Sequence, residues 1–224
     1  MNQKFYAFEG IDGCGKSTMI KFASDYLIEK GIPHVVVEAY PHDPDSLFLR
    51  DLWINQKVPS IANVAIILEL RRRVVVDQIL PALKEGKVIL SDRWHGSTIA
   101  YNEWGMDLRN GLMDRMFNHF NNEVLKELVN YPDSAKMLTD MMTYSTVYMD
   151  IDIPTSRERS QKRRACDAFE KSGEYFFQKV IHGYEYHNKM REEIGNDVYR
   201  IDAEQSVESV QEQIRNVFKE VVKR

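Results

Sequence analysis

One stretch constrains this chain more than any other. Gly10-Ile11-Asp12-Gly13-Cys14-Gly15-Lys16-Ser17 is the complete G-x-x-x-x-G-K-S phosphate-binding pattern. It also sits where that pattern has physical meaning. Phe5 to Glu9 reads as a short apolar strand, and Ser17 to Lys30 as a helix with Ile20, Ala23, Leu27 and Ile28 on one face, ended by Gly31. Glycines let successive backbone N–H groups turn inward around phosphate oxygens, and the helix N-terminus adds partial positive charge there. Gly10, Ile11, Asp12, Gly13, Cys14, Gly15, Lys16, Ser17 and Thr18 are thus the candidate cradle for ATP. Lys16 is placed to neutralise the β- and γ-phosphates, and the Ser17 hydroxyl to ligate Mg²⁺. The motif identifies a nucleoside triphosphate and is silent about the acceptor.

The rest of the chain alternates strands with helices. His34 to Glu38, Lys87 to Ser91, Val147 to Ile151 and Val198 to Ile201 are β-rich runs, and Ile61 to Leu83 is apolar with a helical period and Pro81 near its end. This order predicts an α/β three-layer sandwich, a five-stranded parallel sheet with helices on both faces. Ligands of such sheets lie beyond the carboxyl ends of the strands, so Glu9 and Ser91 should both point at the site. Asn102 to Ser145 reads only as helical stretches, Leu112 to Val129 among them, with a turn signal at Tyr131-Pro132-Asp133.

Composition narrows the function. With 224 residues, 43% hydrophobic and 29% charged, residues 1–224 are expected to form a single globular domain. A net charge of -4 gives no sign of a nucleic-acid or membrane partner, so a site for anionic substrates must concentrate its own Arg and Lys. Two cysteines, Cys14 and Cys166, suit a reducing compartment. The opening MNQKFYAFEG lacks the apolar core of a signal peptide, and no apolar run approaches the roughly 20 residues that span a bilayer. The expectation is a cytoplasmic protein whose partners are small-molecule nucleotides. Cys14, inside the loop, predicts sensitivity to thiol reagents.

Two further clusters carry chemistry. Ser91-Asp92-Arg93-Trp94 follows the third strand. There Asp92 is positioned to hold a magnesium-bound water and Arg93 to grip an acceptor phosphate, the plain alternative being an ion pair that ends the strand. Arg157, Arg159, Lys162, Arg163 and Arg164 form a basic cluster followed by Asp167 and Glu170, which by itself is a solvated helix face.

A resemblance makes these pieces specific. FEGIDGCGKST resembles the phosphate loop of thymidylate kinases, and SDRWHGSTIAY their second signature; Arg71 to Asp92, VYMDIDIP and YRIDA are similar to further family segments in the same order. The resemblance implies the P-loop NTPase fold with a helical lid, here about residues 157–171, and transfer of the γ-phosphoryl of ATP to dTMP with Mg²⁺. It implies that Arg93 holds the acceptor phosphate, Arg71 reads the base, Thr98 lies near the base, and Tyr101 crowds the 2′-carbon. Asp12 approaches the acceptor sugar and the magnesium, and Tyr40, of Tyr40-Pro41, lines the pocket.

Since Gly13 stands where some members carry an arginine, the catalytic arginine is expected in the lid, as Arg163, with Arg159 on ATP. The catalytic set is then Lys16, Asp12, Arg93 and Arg163. Many members are homodimers, a state the apolar helix at Ile61 to Leu70 would permit. Two departures stand out: Ile67 occupies the position of an aromatic ring that stacks on thymine, and Ala39 and His42 flank Tyr40-Pro41 where an arginine is common. They leave room for dUMP or dGMP as acceptors. A deoxynucleoside kinase would need a general base, for which only Glu38 is at hand.

Overall fold

The computed structural model describes residues 4–55, 58, 60–108, 116, 120, 134–161 and 172–223. Five strands form one parallel sheet: β1 Phe5–Glu9, β2 His34–Val37, β3 Val88–Asp92, β4 Ser145–Asp150 and β5 Val198–Asp202, in the order β2-β3-β1-β4-β5. The helices are α1 Lys16–Glu29, α2 Pro44–Ile54, α3 Ser60–Val74, α4 Leu80–Lys84, α5 His95–Thr98, α6 Ser134–Met142, α7 Ile153–Gln161, α8 Glu174–Glu193 and α9 Val207–Val222. The three-layer α/β sandwich expected from the sequence is the fold observed.

β1 lies in the middle, and all five of its side chains are buried. Alternation then divides the core. Tyr6 and Phe8, with Leu90 and Val147, pack against Ala23 and Leu27 of α1 and Ile214 and Phe218 of α9. Phe5 and Ala7, with Ile89, pack against Val74, Ile79 and Leu80 on the other face. A strand buried on both faces reads as a continuous apolar run, which is why β1 and β3 were legible as sequence. β4 begins two residues earlier than expected, at Ser145 and Thr146. Their polar side chains are buried, and their backbone pairs with Tyr6 and Ala7 of β1, so tertiary pairing sets the boundary.

The helix expected over Ile61 to Leu83 is continuous but not uniform. A π-helical turn, Val75–Ile79, separates α3 from α4. Pro81 has no N–H to return to the Asp77 carbonyl, and a widened turn just before it absorbs the lost bond. A second π-turn, Ile99–Gly105, continues α5 and keeps Tyr101 and Asn102 buried beside the sheet's carboxyl edge. The stretch Leu112 to Val129 and the turn at Tyr131-Pro132-Asp133 lie outside the described residues, apart from Met116 and Phe120.

Candidate active site

The carboxyl ends of β1 and β3 converge, because the two strands pair in parallel with Phe8 opposite Asp92. The loop from Gly10 to Gly15 leaves β1 and feeds directly into α1 at Lys16. Lys16 is buried, and its Nζ lies inside the loop, 2.8 Å from the Gly10 carbonyl and 3.0 Å from that of Ile11. Ser17 follows on the exposed side. Its hydroxyl donates to Asp92 Oδ2 at 3.2 Å, so the first turn of α1 and the end of β3 bring two oxygen donors together. Such hard oxygens, open to solvent beside a phosphate cradle, fit Mg²⁺.

Arg93 is held in an unusual way. Its φ of 67° is left-handed, a conformation costly for a residue with a side chain. The turn is stabilised from below by Glu9, a fully buried carboxylate. Glu9 Oε1 accepts the Trp94 N–H at 2.9 Å, and Oε2 accepts the Ser97 hydroxyl. The guanidinium is thereby aimed back at the phosphate loop. Nη1 donates to the Gly10 carbonyl at 3.0 Å and to Ser97 Oγ and the Tyr184 hydroxyl at 3.1 Å each, while Nη2 pairs with the Asp12 carboxylate. Burial works against the charge on Arg93, but Asp12 and its neighbours hold its pKa well above the usual arginine value. Burial likewise pushes the Asp12 carboxyl up. Arg93, Lys16 and the hydroxyl of Tyr101, which donates at 2.9 Å, outweigh that and keep it below the ordinary aspartate value.

A cavity of about 220 Å³ opens beside this pair. Asp12, Asp92, Arg93 and Ser97 are among its polar lining, and Ile54, Ile67 and Leu70 supply apolar wall. Arg71, Thr98, Tyr101 and Tyr40 also line it, with Glu38, Ala39, Arg50, Trp53 and Asn102. Every acceptor residue expected from the sequence therefore meets in one space. The three consecutive arginines divide as helical geometry requires. Arg71 is buried and donates to the carbonyls of Arg93 and Trp94 at 3.1 and 3.2 Å. Arg72 and Arg73 turn away and pair with Glu69 at 2.8 and 3.0 Å. Burial lowers the Arg71 pKa to about 10, the charges of Glu9 and Asp92 opposing it, so the group stays cationic at neutral pH. Arg50, Arg71 and Arg93 bring three guanidinium groups to the cavity, facing the carboxylates of Asp12, Glu38 and Asp92.

The loop also meets α7. The Ser156 hydroxyl donates to the Asp12 carbonyl at 2.5 Å, and a Cβ placed on Gly13 would lie 2.3 Å from the Ser156 carbonyl oxygen. No arginine side chain has room at Gly13. Arg159 on the same helix donates from Nη1 to the Ala203 carbonyl at 2.8 Å, and Arg157 from Nη2 to the Ser172 carbonyl at 2.6 Å. Arg163 lies outside the described residues, as do Lys162, Arg164, Cys166, Asp167 and Glu170.

Cys14 corrects one expectation. Its thiol is 1% exposed, packed among the core residues beneath the loop, and accepts from Lys16 Nζ at 3.5 Å. Burial shields it from reagents, so it is not the reactive thiol its place in the motif suggested. Sequence reasoning brought Glu9 to the site without a role, and it missed Tyr184, Arg50, Trp53 and Ser156. Glu9 and Ser97 were visible in the two signatures, but the rest come from elements with no local motif.

Comparison with known proteins decides the family. The thymidylate kinase family model matches residues 8–214. Thymidylate kinase of Fervidobacterium nodosum is 32% identical over 219 residues, covering 96% of this chain and 98% of that protein. Those of a Thermoanaerobacter species and of Nitrosospira multiformis are each 31% identical, over 98% and 96% of this chain and equal shares of their own lengths. The chain belongs to the thymidylate kinase family. It is a phosphotransferase that carries the γ-phosphoryl group of ATP to dTMP, giving dTDP and ADP. Among the described residues, no helix of this family member is long and apolar enough to cross a membrane.

Proposed function

We propose that the loop Gly10 to Ser17, with Thr18, holds ATP, and that the adjoining cavity holds dTMP with its phosphate on Arg93. One observation supports this most. Lys16 Nζ and Arg93 Nη1 both donate to the same Gly10 carbonyl, at 2.8 and 3.0 Å, so the two cationic groups meet at the junction of loop and cavity. Two phosphates gripped by these groups would be brought end to end. The dTMP phosphate oxygen then attacks the γ-phosphorus in line, a P–O bond forms, and the bond to the ADP oxygen breaks. A phosphate oxyanion is already nucleophilic, so the reaction needs no general base; the residues supply position and charge.

In this reading Lys16 neutralises the β- and γ-phosphates, and Arg159 lies over ATP. Ser17 and Asp92 would hold Mg²⁺, which when bound would neutralise phosphate charge. Asp12 fixes Arg93 and approaches the acceptor sugar together with Tyr101, which crowds the 2′-carbon. Arg71 and Thr98 lie at the base, with Ile67 and Tyr40 as walls. The lid, about residues 157–171, supplies Arg163 to the transferring phosphoryl and excludes water. We further read residues 1–224 as one kinase domain. From the cysteine content and charge we read it as cytoplasmic and without nucleic-acid or membrane partners, and from the family resemblance as capable of forming a homodimer.

A coupled assay of ADP release tests this, run across dTMP, dUMP, dGMP and thymidine with wild type, Lys16→Ala and Arg93→Ala. The expected result is turnover with dTMP in the wild type and its loss in both variants, with circular dichroism unchanged. Near-normal turnover in either folded variant contradicts the assigned roles.

A further inference from the structure

Arg93 is aimed by groups from three segments, and one of them belongs to neither signature. Its Nη1 carries two N–H groups and meets three acceptors. They are the Gly10 carbonyl at 3.0 Å, Ser97 Oγ at 3.1 Å and the Tyr184 hydroxyl at 3.1 Å. Gly10 opens the phosphate loop, and Ser97 lies 4 residues beyond Arg93. Tyr184 comes from α8, 91 residues further along the chain.

The phenol oxygen is more than one acceptor among three. It also lies 2.8 Å from Ser97 Oγ and donates to the Gly10 carbonyl at 3.1 Å. Packing fixes where this oxygen can be. Tyr184 is fully buried, its ring 5.4 Å from that of Tyr148 and edge-on to Tyr101 at 6.3 Å. The preceding residue, Gly183, lets α8 press against the second π-turn, since a Cβ there would lie 2.7 Å from Ala100 Cα. A ring locked by such packing leaves its hydroxyl little freedom, and the guanidinium bonded to it is fixed in turn. Tyr184 is not among the residues that line the cavity, so its hydroxyl acts on a ligand there through Arg93.

We propose that Tyr184 is a positioning residue, whose hydroxyl sets the orientation in which Arg93 meets the acceptor's phosphate. This rests on the reading that Arg93 holds the phosphate of dTMP in the adjoining cavity. Hydrogen bonds to charged groups are among the stronger ones, but Gly10 and Ser97 keep part of the hold. Loss of the hydroxyl then corresponds to about tenfold in affinity. Because Tyr184 works through the arginine, the loss falls on the phosphate and spares a ligand that has none.

The test compares dTMP with thymidine, the same molecule without its phosphate, by titration calorimetry on the full chain. Tyr184→Phe keeps the ring and removes one oxygen. It should weaken dTMP about tenfold and leave thymidine within about twofold of wild type. Tyr148→Phe, which takes a hydroxyl from the neighbouring ring, should leave both ligands near wild type. Equal losses for dTMP and thymidine in Tyr184→Phe overturn the proposal, and so does no loss at all. A second measurement leaves the hydroxyl in place. Tyr184→3-fluorotyrosine should give a fluorine resonance that moves on adding dTMP and moves much less with thymidine. Equal movement with both ligands overturns the proposal, even if the phenylalanine variant does not fold. Arg93→Ala separates the two levels. If it weakens dTMP while Tyr184→Phe changes nothing, Tyr184 alone is misassigned. If Arg93→Ala leaves dTMP affinity unchanged, the phosphate is held elsewhere and the reading of the cavity itself fails.

Discussion

Gly13→Ala adds a single methyl group to the phosphate loop, and the structure sets what it must cost. Gly13 has φ of 85°, so an alanine there carries the left-handed penalty of about 1–2 kcal/mol. Its Cβ would also lie 2.3 Å from the Ser156 carbonyl oxygen and 2.7 Å from Ser160 Oγ. Backbone oxygen cannot turn aside as a side chain can, so loop and α7 must separate by at least about 0.7 Å. Overpacking of this kind adds about 1–3 kcal/mol.

Gly31→Ala is the matched control. Its φ is 67°, nothing lies within 4 Å of a Cβ there, and only the conformational penalty applies. For a chain of this size Gly31→Ala should lower Tm by roughly 4 °C and Gly13→Ala by roughly 10 °C. The loop displacement should also reduce kcat by about 30- to 100-fold, since a shift near 1 Å spoils alignment of the reacting atoms. Thermal melts of the free protein and the coupled assay measure both. Equal melting shifts for the two alanines, with Gly13→Ala fully active, would refute the claim that α7 closes against the loop at this residue.

Other consequences concern the groups beneath Arg93. Glu9→Gln weakens the two bonds that hold the Trp94 N–H and the Ser97 hydroxyl, costing about 2 kcal/mol and roughly 4–8 °C in Tm. It should raise KM for dTMP about tenfold while KM for ATP stays close to wild type, because Arg93 is loosened and Lys16 is not; steady-state kinetics with each substrate varied decides. His187 is buried, which lowers its pKa from 6.5 to about 3, with Arg191 adding to the effect. The unfolded chain therefore binds a proton there that the folded chain refuses. The contribution of His187 to stability is full above pH 6.5 and falls by about 1.4 kcal/mol per pH unit below it, down to about pH 3. Thermal melts at pH 7, 6 and 5 should show a decline that shrinks in His187→Gln.

The sequence alone determined the frame of this protein. The phosphate loop between an apolar strand and a helix, the Asp92-Arg93 pair after β3, and alternating strands and helices set the α/β fold and carry the proposed donor site. Each is a local pattern whose physics acts within a few residues: backbone amides around a phosphate, an apolar run buried on both faces, a helical period. What the tertiary structure decided lies across long separations. Glu9 and Ser97, or Gly10 and Tyr184, are neighbours only because parallel pairing and the packing of α8 bring them together. Trp53 and Arg50 read as ordinary helix residues until α2 is seen to wall the cavity. Cys14 reads as reactive until its burial is known. A motif carries its own chemistry, whereas the aim of an arginine and the shape of a pocket are products of packing between segments that share no pattern.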